Sequence, residues 1–114
     1  MAEDQGEGAG LGFNHNYPLA HGTDWSHYGP ALADACRQIA AYAPDALVVS
    51  LGVDTFEHDP ISRFRLKNAD YLRMGAAIAG LHLPTLFVME GGYAVADIGV
   101  NAVNVLSGFE SVAA

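Results

Sequence analysis

The chain has 114 residues, 51% of them hydrophobic, which suits a single domain with its own core and leaves no room for a second. Thirteen Asp and Glu against five Lys and Arg give a formal charge of −8, which disfavours nucleic-acid phosphates and favours a cationic ligand or simple solubility. No apolar run approaches the roughly 18 residues of a membrane span, the acidic start does not resemble a signal peptide, and the lone Cys36 excludes an intrachain disulfide or a thiolate metal cluster, so a cytoplasmic location is expected.

In chain order, the stretch to Leu11 carries Glu3, Asp4 and Glu7 among several glycines and is expected to be flexible. Gly12 to Tyr17 alternates as a strand does, with Pro18 at its end and Thr23 or Asp24 as the cap of a first helix. Tyr28, Leu32, Ala35, Cys36, Ile39 and Tyr42 recur at steps of three and four, one apolar stripe of that helix. Because Pro30 interrupts its start, regular helix is expected from Gly29, with Trp25 to Tyr28 an irregular turn. In that stripe Cys36 reads as packing.

Ala46 to Leu51 and Pro84 to Met89 are short branched runs that suit buried parallel strands, and Asn68 to Gly80 has the spacing of the helix that joins them. The loop from Gly52 to Lys67 is long, with Phe56, Ile61, Phe64 and Leu66 available to anchor it. A final helix is expected from Asp97 to Leu106, stopped by Gly108. The expected architecture is therefore α/β, a three-stranded and mainly parallel sheet covered by three helices.

A parallel β–α–β unit is right-handed, so both strands end on one edge, where ligand sites of open sheets collect. Asp54 follows the first end and Glu90-Gly91-Gly92-Tyr93 the second. Asp54 reads either as a carboxylate ligand for a cation or as an Asp that holds its own turn. Tyr93 reads either as a phenol donor to a developing oxyanion or as an aromatic packing plug, and the glycine pair permits unusual backbone angles and close approach. Asp54, Glu57, His58 and Asp59 could form a metal cluster only on a helix, whereas their neighbours indicate a loop, so His58 reads as an exposed partner of an acid. His15, His21, His27 and His82 have no zinc-motif spacing, and no serine nucleophile motif or phosphate-binding glycine loop is present.

Val53-Asp-Thr-Phe-Glu57, Asp59-Pro-Ile-Ser62, Asp70-Tyr71 with Met74-Gly75, and above all Val88-Met-Glu-Gly-Gly-Tyr93 resemble the C-terminal part of acetylpolyamine amidohydrolases, bacterial members of the histone deacetylase superfamily. Glu90 before the glycine pair resembles the class II and bacterial branch. The resemblance implies part of an arginase/deacetylase-like three-layer sandwich, here truncated, with residues 1–114 as one domain. It also implies zinc as cofactor, Asp54 as a metal ligand, Tyr93 as the catalytic oxyanion donor, Gly91 and Gly92 at the substrate, and a small cationic acetylated amine as substrate. The family's Asp-x-His ligand pair and His–His pair lie upstream of what corresponds to Met1, and no Asp-x-His occurs in this sequence. Hydrolysis by this chain alone is therefore not expected. The expected partners are a second copy, since open strand edges invite pairing, or a complementing upstream polypeptide, with no nucleic acid and no membrane. A non-catalytic small α/β module is the alternative.

Overall fold

The computed structural model describes residues 1–113. After one 3-10 turn at Gly8–Gly10, the elements run α1 (Trp25–Tyr42), β1 (Leu47–Leu51), α2 (Asn68–Ala79), β2 (Thr85–Met89) and α3 (Ile98–Ala113). β1 and β2 pair in parallel, from Leu47 opposite Thr85 to Leu51 opposite Met89, with α2 as the crossover. The fold is α/β, as the sequence indicates, and no helix among the described residues is long and apolar enough to cross a membrane.

The sheet has two strands, not three. Gly12 to Tyr17 is exposed coil, because its polar side chains turn back on the N-terminus instead of facing a partner strand. Asn14 Nδ2 donates to the Asp4 carbonyl at 2.7 Å and Asn16 Nδ2 to the Met1 carbonyl at 2.8 Å.

Helix α1 starts at Trp25, earlier than the proline suggests. Asp24 is the cap, accepting from the Ser26 N–H at 3.0 Å, and Pro30 lies inside the helix, where its missing N–H withdraws the usual donor from the Ser26 carbonyl. Cys36 faces α2, with Sγ 3.9 Å from the Ala77 carbonyl oxygen, and burial pushes its thiol pKa up, which suits packing. Tyr42, expected on the buried stripe, lies exposed at the end of the helix.

Helix α2 begins at Asn68, with Lys67 as its cap residue. The Lys67 N–H donates to Asp70 Oδ2 at 2.8 Å, so the acid in the first turn satisfies the backbone of the cap. The side chain of Asn68 instead reaches α3, donating to Asn101 Oδ1 at 2.6 Å, while Asn104 Nδ2 returns to the Asn68 carbonyl at 2.9 Å.

Gly108 does not end α3; it lies buried within it. A Cβ there would overlap the backbone of Leu72, and one at Gly75 would overlap that of Val105 and sit 2.8 Å from the Phe109 nitrogen. The two glycines are what let α2 and α3 lie backbone against backbone. Beneath them Leu51, Val53, Phe56, Leu66, Tyr71 and Val105 form the buried core. Phe56 and Leu66 anchor the long loop by bridging each other, whereas Ile61 points into solvent. The helices cover one face of the sheet, with Leu47, Val49 and Phe87 packed against the core. On the other face Val48, Leu86 and Val88 are 65%, 59% and 40% exposed, although parallel sheets ordinarily carry cover on both sides.

Candidate functional site

The parallel ladder runs on past the strand ends and carries both candidate loops with it. The Glu90 N–H donates to the Leu51 carbonyl at 2.8 Å and the Val53 N–H to the Gly91 carbonyl at 2.9 Å, which places Asp54 beside Gly91. A Cβ on Gly91 would lie 2.7 Å from Asp54 Cγ, and one on Gly52 would lie 2.8 Å from Asp54 Oδ1. The carboxylate therefore occupies the space that two missing side chains leave open. At Gly92 φ is 153°, and a Cβ would sit 2.7 Å from Val53 Cγ2. The glycine pair thus has a packing reason: it lets residues 90–93 lie against 52–54.

Asp54 is half-buried, and its loop is held from below by α2. Tyr71 is fully buried; its hydroxyl lies 2.8 Å from Thr55 Oγ1 and donates to the Val53 carbonyl at 3.4 Å, so it grips the residues on both sides of Asp54. Burial pushes the Tyr71 hydroxyl well above the usual phenol range, so it remains a donor at any working pH. These bonds go to the flanking residues, and among the described residues none is donated to Asp54 itself. Its oxygens keep their lone pairs free, as those of a cation ligand must be.

Tyr93 is 52% exposed, with its ring out of the core. The backbone is held instead: the Tyr93 N–H donates to Asp59 Oδ2 at 2.6 Å and the Ala94 N–H to the same oxygen at 3.2 Å. Asp59 is buried, in contrast to Glu57 and His58, which are exposed and 3.5 Å from each other. The loop therefore does not gather Asp54, Glu57, His58 and Asp59 around one point. His21 lies 3.3 Å from Arg63, and His27 is 3.9 Å from Asp24, both on the surface. Asp59 and Tyr71 stand in the quoted stretches, but what they grip does not show there, since their partners lie 16 to 35 residues away along the chain.

Zinc in a hydrolase needs at least three protein ligands and an open position. Among the described residues no group of three or more His, Cys, Asp or Glu could hold a metal ion. One carboxylate is on offer, so these residues alone do not fit the metal.

Comparison with known proteins shows the family and the fold. Acetylpolyamine amidohydrolase 1 of Pseudomonas aeruginosa is 68% identical over 112 residues, covering 98% of this chain and 32% of that protein. The acetylpolyamine amidohydrolase of Mycoplana ramosa is 55% identical over 107 residues, 94% of this chain and 31% of its own length. The crystal structure of acetylpolyamine aminohydrolase from Burkholderia pseudomallei superposes with a TM-score of 0.95 at 38% identity, over 98% of this chain and 33% of that one. The chain spans about a third of the length of the curated relatives it matches. With the Histone deacetylase domain matched over residues 1–109, nearly all of the sequence, this chain belongs to the histone deacetylase family.

Proposed function

We propose that these residues form one side of an amide-hydrolase site for small acetylated amines, with Asp54 as one metal donor and Tyr93 as the hydrogen-bond donor to the substrate oxygen. The carrying observation is the Asp54 carboxylate, without a donor among the described residues, seated on Gly91, which lies two residues before Tyr93 at the same sheet edge. Zinc is the metal that the family resemblance implies; its remaining ligands, and the groups that move the proton, come from outside these 114 residues. The Tyr93 hydroxyl donates to the amide oxygen as that atom gains negative charge. Gly91 and Gly92 let a slender substrate approach the backbone closely. The charge of −8 favours a cationic substrate over a neutral or acidic one. A cytoplasmic setting goes with a single free thiol.

The bare face at Val48, Leu86 and Val88 and the two open strand edges are covered, in this reading, by the polypeptide that brings the missing donors. A second copy of this chain would cover the same surface without completing the metal site. A non-catalytic α/β module is the second reading, favoured by the lack of a three-donor group among the described residues. Mixing the chain with a polypeptide that carries the upstream part of an acetylpolyamine amidohydrolase decides between them. Amine release from N-acetylputrescine is expected from the zinc-loaded mixture and from neither part alone. A stable mixed complex that releases no amine would leave the module reading in place.

A further inference from the structure

Asp59 is the one acid of the long loop whose carboxylate is buried, and its bonds go where a reactive-site loop needs support. It is 6% exposed and bonded on both oxygens: Oδ1 accepts from the Ile61 N–H at 3.0 Å, and Oδ2 from the Tyr93 and Ala94 N–H groups at 2.6 and 3.2 Å. Its own backbone is fixed as well. The Asp59 N–H donates to the Phe56 carbonyl at 3.0 Å, and the Ser62 N–H donates to the Asp59 carbonyl at 3.1 Å. Phe56 is a core residue, so the carboxylate stands on a rigid base.

This matters because, although the Ala94 carbonyl is held by the Asp97 and Ile98 N–H groups, Tyr93 itself makes no other hydrogen bond among the described residues. Its ring is half out in solvent, and it follows Gly92, which holds a backbone angle that side chains rarely adopt and whose neighbour Gly91 adds freedom. A loop of that kind samples many conformers unless something selects one, and a charged acceptor shared by two successive N–H groups does so. Carboxylates tolerate burial when backbone donors satisfy them, and Asp59 meets that condition with three.

We propose that Asp59 is a positioning residue: by clamping the Tyr93 and Ala94 amides it sets the direction in which the Tyr93 hydroxyl points, and so the alignment of that hydroxyl with a substrate oxygen. The catalytic consequence rests on the function proposed above, whereas the clamp itself does not. Asp59 touches no reacting atom. Its effect passes through the main chain of Tyr93, which separates it from Asp54, whose carboxylate lies on Gly91 and makes none of these bonds.

NMR of the whole chain, without metal or substrate, tests the clamp. In the wild type a coupling across the hydrogen bond, from the Tyr93 amide nitrogen to Asp59 Cγ, is expected. In Asp59→Asn the amide group can offer its oxygen either to Ile61 or to Tyr93 and Ala94, not to both, and it turns an NH2 toward the other. Hydrogen exchange of the Tyr93 and Ala94 amides should then quicken roughly 10- to 100-fold, the range expected for loss of a bond to a charged acceptor, while amides of β1 and α2 keep their protection. Absence of the coupling overturns the proposal, and so does a loss of protection spread evenly over β1 and α2, which would make Asp59 a general stability element. Should Asp59→Asn fail to fold, the wild-type coupling still decides. In a hydrolytically competent assembly, Asp59→Asn should lower kcat with little change in KM, and should cost nothing further once Tyr93 is Phe. Lack of hydrolysis in any assembly would overturn the proposed function and leave the NMR result standing.

Discussion

Gly75→Ala and Gly108→Ala are each expected to cost the chain a large part of its stability. A single methyl at Gly75 meets the Val105 backbone and the Phe109 nitrogen, and one at Gly108 meets the Leu72 backbone, with Leu72 Cα at 3.0 Å. Backbone cannot rotate aside as the end of a side chain can, so α2 and α3 must move apart. Overpacking of this sort costs about 1–3 kcal/mol and occasionally more, against a total of about 5–15 kcal/mol for a typical domain. A chain with one sheet face bare has less than most to lose. Gly99→Ala is the control, since nothing lies within 4 Å of a Cβ there and alanine raises helix propensity by up to about 1 kcal/mol. Urea midpoints followed by circular dichroism should fall sharply for Gly75→Ala and Gly108→Ala and stay level or rise for Gly99→Ala. Equal midpoints for all three would contradict the close crossing of α2 and α3.

Tyr93→Phe should abolish most hydrolysis in a completed enzyme while leaving the fold untouched. Among the described residues the hydroxyl makes no hydrogen bond, and the side chain is 52% exposed, so its removal leaves neither a buried orphan nor a cavity. The hydroxyl acts only when a substrate oxygen gains charge, which makes the loss one of transition-state binding. Loss of one such donor lowers kcat by about 10²–10³, with KM nearly unchanged. Steady-state rates on N-acetylputrescine, with unfolding curves alongside, would separate this from misfolding. A KM increase at constant kcat would instead make Tyr93 a substrate-binding group.

The elements that the sequence reveals are those whose signals are local. The branched runs at Ala46–Leu51 and Pro84–Met89 fall within a residue of the observed strands, Leu47–Leu51 and Thr85–Met89. Helix α2 is equally plain, since its buried residues Tyr71, Met74, Gly75 and Ile78 recur at steps of three and four. Local signals mislead where a residue has two uses. Gly108 has the look of a helix stop but serves a tertiary contact that involves residues some 36 positions away, Leu72 being its neighbour. Pro30 suggests a late helix start, and the Asp24 cap overrides it. Gly12 to Tyr17 alternates as a strand would, yet side-chain bonds from Asn14 and Asn16 to distant carbonyls win over an unpaired edge.

At the site, Asp54 and Tyr93 are visible because each follows a strand end, which topology sends to one edge. The supports behind them are not. Tyr71 looks like one more core aromatic, and its grip on the Val53 carbonyl and Thr55 depends on how α2 docks. Asp59 sits in a crowd of charged residues, and what sets it apart is burial against amides 34 and 35 positions on. Partners so distant along the chain, most of them main-chain groups, leave no local trace, so only the fold shows them.

The central claim, that this chain contributes one metal donor to a site completed from outside it, is tested most directly by zinc content. Elemental analysis after zinc loading and gel filtration should find the chain alone far below stoichiometric. Its complex with the complementing polypeptide should hold about one zinc, the number a single site with three protein ligands binds, and Asp54→Ala should lose it. Zinc retained undiminished by the Asp54→Ala complex would contradict the account.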